Sequence, residues 1–344
     1  MTFHDRSAAF RQFGMSIISL AVSAVFAFTA TPARTQEFTM KFGTQTINDM
    51  QHEYIKVYKT ELEKATNGRI KVEVYPASQL GLFPRMLEGI RLGTVEGILT
   101  PSEFYVGADP RYQVLAMPGL FKDVDHARRV MDLPEARKAF VSVAEGRGFV
   151  TAAVVPYGPQ MFNSKAPITK LADFSGKRIR VLASEGEQAA VKSLGAATVP
   201  MALPEVLPAL QQGTIDGLTA VLAVYTNFRY YDTAPYILDS GLWQLVSVGQ
   251  FSKVWLDKLP PDLQKAVMET ALKIEPQMHA WQATRDKADR ETWVKNNGKF
   301  ATLSAAEQAE AQKRVTDAVQ PLLAKDAGVK SLYEKLKSLA TTVK

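Results

Sequence analysis

One stretch concentrates the residues that could do chemistry: Gly176–Gly217, GKRIRVLASEGEQAAVKSLGAATVPMALPEVLPALQQGTIDG. Ile179, Val181 and Leu182 mark a short strand, and Ser184-Glu185-Gly186-Glu187 reads as a capping box opening a helix that Gly195 ends. Arg180 therefore stands near the carboxyl end of a strand, just ahead of a helix N-terminus. Ligands of open α/β sheets bind at that end, and the backbone N–H groups of a helix start favour an anion. A guanidinium held there in low dielectric needs a partner, and a carboxylate matches its plane with two parallel hydrogen bonds. That carboxylate could belong to a ligand or to a structural Asp or Glu, and the residues leave both open.

Other chemistries find little support. The chain of 344 residues has no Cys, which removes disulfides, thiolate metal sites, iron–sulfur clusters, a Cys nucleophile and a lipobox anchor. Its four His, at positions 4, 52, 126 and 279, fall into no metal spacing. No GxSxG elbow, Walker loop, HExxH or helix-opening GxGxxG is present. Neither a metal nor a cofactor is expected, and the chain does not read as an enzyme. The net charge of +6 is mild and its Lys and Arg are scattered, so nucleic acid is not an expected partner.

The elements that must position Arg180 alternate along the chain. Arg6 and Arg11 precede an apolar run from Met15 to Phe28, and small residues follow to Ala33. This reads as a secretory signal peptide over 1–35, cleaved near residues 33–36, and predicts a periplasmic protein. The apolar run is shorter than the roughly 20 residues that span a bilayer. Strands are predicted at Phe38–Gln45, Ile70–Tyr75, Val95–Leu99, Phe149–Val155, Arg178–Leu182 and Ile215–Thr219, with helices at Gln51–Thr66 and Phe83–Leu92 among those between them. That alternation means α/β layering with largely parallel sheets. From Leu259 onward the chain turns helical, with a break expected at Pro276, a capping box at Ser304–Glu307 and a last helix over Val329–Leu339.

Four ordered stretches resemble the DctP-type substrate-binding proteins of tripartite ATP-independent periplasmic (TRAP) transporters. They are Lys71–Gly81 (KVEVYPASQLG), Leu115–Phe121 (LAMPGLF), Gly176–Gly217 and Leu259–Gln264 (LPPDLQ). The resemblance implies a two-lobed α/β binding protein with hinge strands and a long helix spanning both lobes. Its lobes are expected at 36–157 plus 246–285, and at 158–245 plus 286–344 with the C-terminal helices. It also implies a monomer that closes on a small carboxylate and delivers it to membrane permease subunits.

The family's carboxylate-binding arginine falls on Arg180. Where sialic-acid-type members carry further polar or bulky groups, this chain has Pro159, Ala183, Leu203 and Ala220. A sugar acid would leave hydroxyls unpaired in such a pocket, at about 1–3 kcal/mol for each buried group. An aromatic or lipophilic monocarboxylate is therefore the favoured ligand, with Phe162, Tyr157, Met201, Leu203, Trp243 and Tyr225 as candidate walls. Gln45 and Glu88 are secondary candidates, and Glu88 could also read an ammonium group. The alternatives are a binder of small 2-oxo acids or dicarboxylates, a ligand-sensing partner of a membrane receptor, and a secreted enzyme with an acid–base pair near Arg180. Pro208, inside the helix that follows Pro204, departs from the family and predicts a kink.

Overall fold

The computed structural model describes residues 36–182 and 184–343; the predicted signal peptide and Ala183 lie outside the described residues. The strands form two separate sheets. In chain order the elements begin with β1 (Phe38–Gly43), α1 (Met50–Ala65), β2 (Ile70–Tyr75), α2 (Phe83–Leu92) and β3 (Gly97–Pro101). Two 3-10 segments follow, Ser102–Gly107 and Pro110–Ala116, then α3 (Val124–Asp132), α4 (Pro134–Val141) and β4 (Phe149–Pro159). The middle of the chain holds β5 (Met161–Ser164), β6 (Arg178–Val181), α5 (Glu185–Ser193), β7 (Ala197–Pro200), α6 (Leu203–Gln212) and β8 (Gly217–Ala220). It continues with α7 (Leu222–Asn227), β9 (Tyr236–Leu238), β10 (Gln244–Ser252), α8 (Lys253–Leu256), α9 (Pro261–Lys295), β11 (Lys299–Ala301), α10 (Ala305–Lys325) and α11 (Ala327–Thr342).

Local sequence explains the boundaries that matter. Asp49 caps α1 by accepting from the His52 N–H at 3.0 Å, and Gly93 ends α2 in the left-handed conformation, which costs glycine no Cβ clash. The first sheet runs β2-β1-β3-β10-β4 and the second β11-β9-β5-β8-β6-β7. Both are mixed rather than largely parallel. The pairs β1–β2, β1–β3, β6–β7, β6–β8 and β9–β11 are parallel, while every pairing made by β10 and β5 is antiparallel. The antiparallel strands are the ones that join the lobes. β4 leaves the first sheet and becomes β5 of the second through Gln160 alone, and the chain returns from β9 to β10. These two crossings touch, because the Gln160 N–H donates to the Trp243 carbonyl at 3.1 Å. β10 is buried along its whole length, as an interior strand covered on both faces must be.

The long helix α9 packs on α1 and β4 of the first lobe and on α7 of the second. It is continuous through Pro276, where a break was expected. An interior proline costs about 3 kcal/mol, and the flanking turns are anchored firmly enough to offset it. Tyr54 donates its hydroxyl to the Ala271 carbonyl at 2.9 Å, and Glu275 takes the Arg137 guanidinium on both oxygens and the Val154 N–H at 3.0 Å. α6 likewise runs through Pro208, whose freed acceptor is the carbonyl of the exposed first-turn residue Pro204. α10 lies on α5 of the second lobe, but α11, expected there too, packs on α3 and α4 of the first. Its apolar face, Val329, Leu332, Tyr333, Leu336 and Ala340, repeats at helical spacing and is buried against first-lobe side chains.

Candidate functional site

Arg180 lies in β6 between Val199 of β7 and Leu218 of β8. Its neighbours Ile179 and Val181 enter the second lobe's core, so strand alternation turns Arg180 to the opposite face, toward the first lobe. The residue is 2% exposed. Nε and Nη2 donate to the Met201 carbonyl at 3.0 and 2.9 Å, and Nη1 donates to the Thr219 carbonyl at 3.4 Å. An arginine has five N–H groups in a fixed fork, which leaves one hydrogen on each Nη. Among the described residues no carboxylate lies within ion-pair distance of it.

The fork borders a chamber of about 30 Å3 between the lobes. The second lobe contributes Leu182, Leu203, Ala220 and Val224; the first contributes Gln45, Thr46, Gln51, Pro101 and Phe104; Tyr157 and Leu245 come from the crossing strands. Most of these side chains are apolar, and Arg180 is the single cation among them. The Tyr157 hydroxyl is already engaged, donating to Asp49 at 2.6 Å.

Two buried carboxyl groups tune the charge. Glu187 accepts from the Leu182 N–H at 2.6 Å and from the Thr219 hydroxyl, so it does not close the expected capping box. Ser184 still caps α5, accepting from the Glu187 N–H at 3.1 Å. Burial pushes the Glu187 carboxyl up to about 7. Burial, and then the neighbouring Glu187, hold Glu103 well above the usual carboxylate range. Burial also lowers Arg180 from its ordinary value, opposed by Glu187, Tyr230, Tyr225 and Glu103. Glu103 spans the cleft, accepting from the Ser184 hydroxyl at 2.9 Å and the Gln160 amide at 3.3 Å. Gln113 does the same by accepting from the Gly186 N–H at 3.1 Å, and Asn227 donates to the Ile47 and Asn48 carbonyls. The lobes are thus closed on each other.

Of the residues singled out in the sequence, Arg180, Leu203, Ala220, Gln45 and Tyr157 converge on the chamber. Met201 holds Arg180 through its carbonyl and lines an outer hollow. The others do not converge. Phe162 and Trp243 are fully buried inside the second lobe, where Phe162 packs edge-on against both Phe174 and Trp243. β5 places Phe162 beside Thr219 and Leu238, one residue out of phase with the strand face that reaches the cleft. Tyr225 is structural, its hydroxyl donating to the Met161 carbonyl and accepting from the Ala220 N–H, both at 2.7 Å. Pro159 ends β4 opposite Gln244, and Glu88 is exposed in a separate hollow with Lys41 and Arg85. Phe104, Glu103 and Glu187 also belong to the site, although the sequence does not single them out for it. The signal for the first two was positional: they directly follow the carboxyl end of β3, as Gln45 follows that of β1.

A buried cation facing an apolar chamber, between two α/β lobes hinged on crossing strands, defines a solute-binding protein that closes over an organic anion. The profile of the DctP family, bacterial extracellular solute-binding protein family 7, matches residues 43–326, and the chain belongs to that family. Members are periplasmic transport binding proteins of TRAP systems, which bind small organic acids and work with membrane permease components. The chain is 32% identical over 235 residues to a solute-binding protein of Verminephrobacter eiseniae, covering 68% of this chain and 70% of the relative. It is 29% identical over 315 residues to the C4-dicarboxylate-binding periplasmic protein DctP of Rhodobacter capsulatus, covering 88% and 90%. A TRAP solute-binding protein of Xanthobacter autotrophicus, solved with bound β-D-galacturonate, superposes with a TM-score of 0.81 at 28% identity over 87% of this chain and 99% of that one. No helix among the described residues is long and apolar enough to cross a membrane.

Proposed function

We propose that this protein, exported by its first 35 residues, captures an aromatic or lipophilic monocarboxylate through Arg180 and hands it to a TRAP permease. One observation carries the reading: among the described residues the Arg180 guanidinium is buried without an ion pair and keeps one N–H on each Nη, beside a chamber with no second cation. Leaving a buried charge unpaired costs several kcal/mol, which an incoming carboxylate offsets. A dicarboxylate would bring a second charge that no group in the chamber neutralises. The galacturonate of the Xanthobacter relative carries ring hydroxyls, whereas Leu182, Leu203, Ala220, Val224 and Leu245 have no polar side-chain atoms and the first lobe brings only Gln45, Thr46 and Gln51 to pair them. Calorimetric titration against benzoate, phenylpropenoate, pyruvate, succinate and galacturonate tests the reading. Binding of the aromatic acids supports it, and a clear preference for galacturonate or succinate overturns the ligand class.

A further inference from the structure

The chamber at Arg180 is too small for a ring. Its roughly 30 Å3 is room for about two waters, enough for a carboxylate head and little more. Immediately outside it lies an open hollow of about 600 Å3, again formed by both lobes. Gln45 and Phe104 line both spaces, so they form the neck between them. The outer hollow is bounded mainly by apolar side chains, Leu82, Phe83, Leu87 and Val106 of the first lobe and Met201 of the second, with Glu205 at its edge. Leu82, 43% exposed, adjoins Phe83 and Leu87 in the wall of this hollow, so the apolar surface there is contiguous. Met201 connects the two spaces covalently: its carbonyl fixes the Arg180 fork while the residue borders the hollow.

We propose that the outer hollow is a second subsite that takes the apolar tail of an extended monocarboxylate, with its head at Arg180 and its chain passing between Gln45 and Phe104. This rests on the reading of Arg180 as the carboxylate anchor and adds that the ligand is an elongated amphiphile, an aryl-alkanoate or alkyl carboxylate, rather than a compact aromatic acid. The volumes and the shared neck carry it: the head space cannot hold the body, and the adjoining space is apolar and large enough.

The experiment measures dissociation constants of the purified full chain for ω-phenylalkanoates from phenylacetate to 6-phenylhexanoate. Burying each added methylene tightens binding by about fourfold until the hollow is filled. Leu82→Ser removes an apolar wall at a helix N-cap, where serine is favoured, so the variant should fold. It flattens the dependence on chain length, weakening 6-phenylhexanoate more than phenylacetate, and Phe104→Ala alters the same dependence at the neck. If short acids bind with no gain from length, or if the two variants leave the gain untouched, the subsite is overturned while Arg180 keeps its role. If no member of the series binds, the reading of Arg180 as a monocarboxylate anchor falls, and the subsite with it.

Discussion

The Arg180 guanidinium donates to the main-chain carbonyl of Met201 from both Nε, at 3.0 Å, and Nη2, at 2.9 Å. A carbonyl accepts this pair but brings no negative charge, so it fixes the direction of the fork and leaves the cation electrostatically open. Met201 directly follows the last residue of β7, which pairs in register with β6, so the sheet itself sets the fork's aim. A side-chain carboxylate in the same place would have held the arginine as firmly and abolished its use.

Glu187 makes this charge sensitive to pH. Its carboxyl is raised from an ordinary value of 4.5 to about 7, so between those values the folded protein holds a proton that the unfolded chain has released. Stability from this group is therefore greatest at acid pH and declines as pH rises through that window, by a few kcal/mol at most. Glu187→Gln should flatten the decline in a series of denaturant titrations from pH 4.5 to 8. Ionised Glu187 also partly neutralises Arg180, so carboxylate affinity in the wild type should weaken as pH rises through about 7 and do so less in the variant. Equal pH profiles for the two proteins would contradict the assignment.

Closure relies on few polar bonds across the cleft. Gln113 accepts from Gly186 at the start of α5, a contact available only when the lobes meet. A neutral hydrogen bond is worth about 0.5–1.5 kcal/mol, so Gln113→Ala should weaken ligand binding by roughly two- to tenfold. The melting temperature of the ligand-free protein should change little. A large stability loss with unchanged affinity would mean that the contact belongs to folding and not to closure.

Phe162 serves as a control on the geometry. With its ring packed against Phe174 and Trp243 inside the second lobe, Phe162→Ala should cost about 3–5 kcal/mol of stability. The ligand preference of the folded fraction should remain that of the wild type. A change in preference among carboxylates without a stability loss would return Phe162 to the binding wall.

Arg180 was legible because strand, cap and helix signals around it are local and agree. Leu203 and Ala220 followed from its family context. Phe162 was misplaced by one residue of strand phase, since sequence gives proximity to the cleft but not which face of β5 looks into it. Glu103 and Phe104 lie in a 3-10 segment with neither helical nor strand periodicity, and only the sheet order brings them opposite Ser184 and Arg180. The mixed sheets escaped notice for a related reason. The antiparallel partners of β10 are β3 and β4, far from it in the chain, and no local pattern records that pairing. The return of α11 to the first lobe is equally non-local, although its apolar stripe was visible.

Arg180→Lys asks whether the guanidinium itself anchors the monocarboxylate. Lysine keeps the positive charge but lacks the planar fork. Calorimetric titration of wild type and variant with the tightest-binding aryl-alkanoate should show at least a tenfold loss of affinity, since hydrogen bonds to charged groups contribute about 1.5–3 kcal/mol each. The variant should remain folded by circular dichroism. Undiminished carboxylate binding in a folded Arg180→Lys protein would mean that the guanidinium is not the carboxylate anchor.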